Sequence, residues 1–212
     1  MSKVIVTGGC GFIGSHIVDQ LLVDGCDVTV IDNFSTGRVE NLAHQKQNKN
    51  LKIIEGDICN YDFIRKIFTD SKWIFHLAAL ADIVPSIQEP VNYHQSNVNG
   101  TVSVLEAARK VGVEKFVYAA SSSCYGIPDE TPTSEDAPIR PMYPYALTKN
   151  IGEQYALHWH HTYDLPVNSL RMFNVYGTRS RTSGTYGAVF GVFLAQKLAN
   201  VNYTVVGDGE QR

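Results

Sequence analysis

Hydrophobic positions along the chain alternate between two forms. Short apolar runs, "KVIVT", "CDVTVID", "LKIIE", "WIFH", "KFVYA" and "VNSLR", are rich in β-branched residues and bounded by turn formers. Such runs suit strands buried on both faces, and they predict strands at 3–7, 27–31, 51–55, 73–76, 115–119 and 167–171. Longer stretches between them repeat their apolar residues with helical spacing and predict helices near 12–24, 61–69, 94–111 and 146–163. Regular strand–helix alternation predicts the α/β class, a Rossmann-type doubly wound parallel sheet. Residues 121–144, "SSSCYGIPDETPTSEDAPIRPMYP", break the alternation with serines, prolines and acids, the composition of a surface loop that could border a substrate site.

Composition narrows the class without naming a chemistry. With 44% hydrophobic and 18% charged residues the chain is ordinary globular protein, and its net charge of -3 gives no reason to expect nucleic acid or an anionic membrane surface as partner. No apolar run reaches the ~18 residues of a membrane span, and the N-terminus opens into a strand rather than a signal peptide, so a cytoplasmic protein is expected. Cys10, Cys26, Cys59 and Cys124 show no C-x-x-C spacing and read as reduced thiols. The histidines of "HWHH" (His158, His160, His161) have no acid or cysteine at ligand spacing, so a solvated helix end is expected and no metal site.

Chemistry enters with the first strand–helix junction, "VTGGCGFIGSHI". Gly9, Gly11 and Gly14 fit the dinucleotide pattern G-x-G-x-x-G, while Gly8, Gly11 and Gly14 fit the related G-x-x-G-x-x-G. Either register supplies a tight turn, a close backbone approach to a pyrophosphate, and a helix whose free N–H groups face the phosphates. Asp32 ends the second strand 21 residues after Gly11. A carboxylate there can accept from the adenosine ribose and would repel a 2′-phosphate, which favours NAD over NADP; Arg38 nearby weakens that preference.

Downstream, Tyr145 and Lys149 in "PMYPYALTKN" are four apart and share a helical face. An ammonium beside a phenol favours phenolate, which makes a tyrosine usable as a general base. Together with the glycine fingerprint this points to hydride-transfer chemistry. His76, on an apolar strand, is expected to be a satisfied core histidine; Asn97 and Thr101 could bond to backbone, and Asp57 could cap a turn.

Several ordered motifs, "TGGCGFIG", "VIDNFSTG", "GDI", "HLAA", "NVNGT", "SSSCYG", "YALTK", "RMFNVYG" and "GDGEQ", run from residue 4 to the end. Through them the chain resembles the extended short-chain dehydrogenases/reductases, specifically the NAD-dependent nucleotide-sugar epimerase/dehydratase family. The resemblance implies a cofactor set of Gly8, Gly11, Phe12, Ile13, Gly14, Asp32 and Asn33, with Asp57 and Ile58 beside the adenine and Ala78 and Ala79 along the cofactor. It makes Tyr145 the acid/base and Lys149 its electrostatic partner and a cofactor ligand. Ser121, four residues before the Tyr of "YG", becomes the hydroxyl bridging substrate and Tyr145. Ser122 and Ser123 remain possible contributors, and Ser86 and Asn174 would line the sugar-nucleotide side.

Family dehydratases carry an Asp-Glu pair where this chain has Ser122 and Ser123, and the family's decarboxylases keep the Glu. A serine cannot take a proton from carbon near neutral pH, so epimerisation of a UDP-hexose at C4 is favoured, with a 4,6-dehydratase or 4-ketoreductase as the alternative. The resemblance also implies a C-terminal truncation: residues 1–175 as the NAD-binding domain and 176–212 as the beginning of a smaller substrate lobe. Such a chain is expected to bind NAD but turn over slowly or not at all. Exposed-looking apolar positions Val98, Val102, Leu105 and Tyr155, on helices that pair across a two-fold axis in the family, imply a homodimer.

Overall fold

The structure is a computed structural model that describes residues 1–180, 189–205 and 208. The chain divides into two compact units, Met1–Phe173 and Asn174–Arg212.

The first unit is built on a six-stranded parallel sheet. Its strands are β1 (Lys3–Thr7), β2 (Asp27–Asp32), β3 (Leu51–Glu55), β4 (Trp73–His76), β5 (Lys115–Ser121) and β6 (Val167–Met172), in the spatial order β3-β2-β1-β4-β5-β6. All five pairings are parallel, with Thr7 opposite both Ile31 and His76. The order reverses between β1 and β4, and open α/β sheets bind ligands outside the strand ends at such a switch point. Each expected strand is present, three of them extended by one or two residues at their C-terminal ends.

The connecting helices are α1 (Phe12–Val23), α2 (Tyr61–Ile67), α3 (Ile83–Gln88), α4 (Pro90–His94), α5 (Gly100–Val111) and α6 (Pro144–Tyr163). A 3-10 segment, Val39–Gln45, follows β2, and neither it nor α3 carries a repeat long enough to announce itself in sequence. The single helix expected over 94–111 is instead α4, a π-helical turn at Gln95–Asn99, and α5. Gly100 presses that run against α2's approach: a Cβ there would lie 2.6 Å from the Ile58 side chain. The second unit contains α7 (Val189–Leu198), where Phe193 packs on Tyr203 and Gln196 bonds Thr204.

Two apolar clusters, one on each side of the sheet's β-branched strands, form the core. One gathers Val4, Val6, Val18, Leu21, Val28 and Val30; the other gathers Ile5, Ile31, Ile74, Leu105, Phe116 and Tyr118. Alternate residues of β1 therefore enter different clusters, as a strand covered on both faces requires. Val98 and Leu105 are buried in this core rather than exposed, because their helical phase matches that of Val104 and Ala108 facing the sheet; Tyr155 is exposed. The four cysteines are free thiols, and burial pushes Cys10 up to about 12 and Cys59 up to about 11, so neither is a reactive thiolate. Among the described residues no helix is long and apolar enough to cross a membrane, and no cluster of His, Cys, Asp and Glu could hold a metal ion. His158 bonds Thr162 and His160 bonds the Leu165 carbonyl.

Candidate active site

At the C-terminal ends of the strands a cleft of about 280 Å³ is lined by Gly8, Gly11, Phe12, Ile13, Gly14, Asp32, Asn33, Ile58, Ala78, Ala79, Tyr145 and Lys149. The fold thus brings together residues scattered over most of the first unit.

Its floor is backbone. Gly8 adopts a φ of +72°, and a Cβ on it would lie 2.7 Å from the Ala78 backbone nitrogen; a Cβ on Gly14 would strike the Gly8 carbonyl and lie 2.8 Å from the Gly9 Cα. Gly9 faces away, into Val30 and Val18, and does not line the cleft. The two readings of the glycine motif are thereby separated: Gly8, Gly11 and Gly14 form the cradle, and Gly9 is a packing residue. The N-terminus of α1 at Gly11 has no side-chain cap and no acid in its first turn. Its unpaired N–H groups, with the positive end of the helix dipole, face the cleft.

Asp32 is buried, and both of its oxygens are held. Oδ2 accepts from the Cys10 N–H at 3.0 Å and Oδ1 from the Phe34 N–H at 2.9 Å. The carboxylate therefore locks the glycine loop to the turn after β2. Arg38 N–H and Asn41 Nδ2, both donating to the Cys10 carbonyl, reinforce that lock. Ser35 and Thr36 join the cleft wall through this turn, and sequence reasoning did not single them out.

Behind the cleft runs a buried polar chain. Thr7 Oγ1 donates to His76 Nδ1 at 2.7 Å, and His76 Nε2 meets Thr101 Oγ1 at 3.0 Å. Because Thr101 donates to the Asn97 carbonyl at 2.6 Å, it accepts from His76, which sets the Nε2–H tautomer. Asn97 then pairs with the Leu80 backbone in both directions, at 2.8 and 2.9 Å, and its Nδ2 reaches Thr148 Oγ1 at 3.0 Å. Burial, then the charge of Lys149, drives the His76 pKa down to about 3, so this histidine is a neutral structural link. Asn97 and Thr101 bond within the fold, as their residue types allowed.

Tyr145 and Lys149 occupy the first two turns of α6, whose N-terminal Pro144 suits a first helical position. The Tyr145 phenol faces Ser121, at the end of β5, whose hydroxyl favours the phenolate. Ser121 Oγ also meets Ser123 Oγ at 2.7 Å and accepts the Ser123 N–H at 3.2 Å, so Ser123 orients Ser121. Burial raises the Tyr145 pKa above its ordinary value, and the Ser121 hydroxyl works against that rise. Lys149 does not relieve it here: its Nζ lies 4.4 Å from the centroid of the Tyr118 ring, and burial pulls its own pKa down to about 7. Tyr118 can pack so closely because Gly152 leaves room for its hydroxyl, which donates to the Lys149 carbonyl at 3.2 Å.

Of the expected site residues of the first unit, Ser86, Asp57, Ser121, Ser122 and Ser123 do not line the cleft. Ser86 is fully buried in α3 with its hydroxyl donated to the Ile83 carbonyl at 2.6 Å, a helical back-bond that occupies its only proton. Asp57 turns its side chain to the Cys59 N–H at 2.9 Å, while its neighbour Ile58 lines the cleft. Asn174 is exposed at the start of the second unit. Ser122 is half-buried in the 3-10 turn Ser122–Tyr125.

A model of the "NAD dependent epimerase/dehydratase family" matches residues 4–212. The chain is 40% identical over 210 residues to the UDP-glucose 4-epimerase of Mycolicibacterium smegmatis, covering 98% of this chain and 66% of that protein. It superposes with a TM-score of 0.94 and 40% identity on the UDP-N-acetylglucosamine 4-epimerase of Methanobrevibacter ruminantium, solved with UDP-N-acetylmuramic acid, covering 99% of this chain and 67% of that one. The dTDP-glucose 4,6-dehydratase DesIV of Streptomyces venezuelae, solved with NAD, matches at a TM-score of 0.90 and 31% identity, covering 98% and 65%. The chain therefore spans about two thirds of the length of these relatives.

Proposed function

The chain belongs to the NAD dependent epimerase/dehydratase family, and from that premise we propose that it serves NAD-dependent epimerisation of a nucleotide sugar at C4, of the UDP-glucose/UDP-galactose type. The observation that carries this reading is one cleft lined both by Gly8, Gly11 and Gly14 at an uncapped helix N-terminus and by Tyr145 and Lys149, with Ser121 next to Tyr145.

The cleft fits NAD on its own chemistry. Gly8 and Gly14 leave no room for a Cβ, the free N–H groups of α1 suit a pyrophosphate, and the lone pairs left on Asp32 can accept from a ribose. When bound, NAD supplies a reversible two-electron acceptor. Tyr145, as phenolate, takes the proton of the sugar C4 hydroxyl and returns it after the 4-keto sugar has turned over. Ser121 hydrogen-bonds the same oxygen, held for that role by Ser123, and Lys149 adds positive charge where negative charge develops. No carboxylate stands at 122 or 123, so the chain lacks there the acid and base that elimination of water requires. A homodimer pairing through α5 and α6 would use exposed positions such as Tyr155.

Incubating the protein with UDP-glucose and UDP-N-acetylglucosamine, without added reductant, and separating the sugar nucleotides by anion exchange tests this reading. The galacto isomer should form and vanish in Tyr145→Phe. A 4-keto-6-deoxy product, or consumption of a reduced nicotinamide, would replace it with dehydratase or reductase chemistry.

A further inference from the structure

Lys149 has Tyr145 one helical turn before it and Glu153 one turn after it, so the three side chains form a stripe along α6. Lys149 and Glu153 are both 5% exposed. A charge buried to that degree reverts to its neutral form unless something pairs it. Glu153 is well paired: Arg171 Nε donates to its two oxygens at 3.1 and 3.0 Å, and Ser169 Oγ donates at 3.0 Å. Arg171 is itself fixed, with its NH1 donating to the Tyr125 hydroxyl and the Glu135 carbonyl, both at 2.9 Å.

The groups facing Lys149 from the elements packed around it are few. β5 presents the Tyr118 ring, β4 presents neutral His76, and α6 itself presents Tyr145 and Glu153. Among these described groups Glu153 is the carboxylate. We propose that Glu153 is a positioning residue for Lys149: a carboxylate paired with Arg171 and Ser169, whose negative charge favours the protonated lysine in the neutral range where Tyr145 must act. The directions of the Lys149 balance agree, since burial drives it toward the amine, to about 7, and Glu153 is the charge that opposes burial. Lys149 thus sits at the edge of neutrality, and its charge depends on one buried neighbour.

The inference rests on Tyr145 and Lys149 acting as a pair, but its test does not require turnover. In protein labelled with 13C-lysine, the Lys149 Cε resonance is assigned by its loss in Lys149→Met and followed against pH. Glu153→Gln keeps one oxygen to accept from Arg171 and removes the charge, so the Lys149 midpoint should fall by about one to two pH units. Glu153→Asp, which keeps the charge, should restore most of the midpoint. If Glu153→Gln does not fold, the double variant Glu153→Gln/Arg171→Met, in which Arg171 is not left without its partner, should show a fall in the same direction. An unmoved midpoint in either folded variant overturns the proposal, because a purely structural Glu153 would leave the lysine titration alone. That outcome would leave the epimerase reading standing, whereas isomer formation surviving Tyr145→Phe would remove the epimerase reading with the titration intact.

Discussion

Burying Lys149 carries a stability cost that can be measured against pH. Its pKa falls from an ordinary 10.5 to about 7 in the folded chain. Between those values the unfolded chain holds the proton and the folded chain does not, so unfolding takes up a proton and stability rises with pH. The penalty is present in full below about pH 7 and is relieved as pH climbs toward 10.5. At 1.36 kcal/mol for each pH unit between the two pKa values, the whole penalty is about 5 kcal/mol. About 2.5 kcal/mol of it should be recovered between roughly pH 6 and pH 9. Lys149→Met retains the bulk of the side chain and abolishes the charge. In urea unfolding, the stability difference between wild type and Lys149→Met should therefore shift by about 2.5 kcal/mol toward wild type over that range, cancelling the contributions of all other groups. The variant should be the more stable protein at the acid end, where the buried ammonium costs most. A difference that stays constant with pH would show that the ammonium is not desolvated in the folded chain and would refute the reasoning.

Two further substitutions probe the cradle and its support. Gly14→Ala places a Cβ against the Gly8 carbonyl and 2.8 Å from the Gly9 Cα, so the glycine loop must shift; titration calorimetry should show NAD affinity reduced at least about tenfold, and unchanged affinity would mean that the loop yields freely. Asn97→Ala leaves both the Leu80 N–H and C=O without their partner, and should cost about 2–4 kcal/mol in urea unfolding, well above the effect of an exposed Asn→Ala change; a loss under about 1 kcal/mol would mean that water replaces the amide.

Much of this molecule is legible in the order of its residues. Apolar runs such as "KVIVT" and "DVTVID" can form strands covered on both faces and little else, and the glycines after β1 could be recognised because a turn of that shape excludes side chains. Tyr145 and Lys149 could be paired because helical spacing alone puts them on one face. What the sequence left open was how each residue is turned within its element. Ser86 was a hydroxyl available in principle, but α3 turned it to the Ile83 carbonyl; Val98 and Leu105 looked exposed until their phase against the sheet was known.

By itself, then, the sequence determined the strand and helix alternation, the parallel sheet and the chemistry carried by local spacing, since these depend on neighbours within a few residues. Only the tertiary structure decided which glycine forms the cradle and which packs, because that is settled by Ala78 meeting Gly8 and Val30 meeting Gly9 across the sheet. It alone decided that Asn97 braces Leu80 against Thr148, and that Lys149 lies over Tyr118 with Glu153 as its counter-charge. Charge balance in a buried site follows desolvation and distance, and both exist only once the chain has folded.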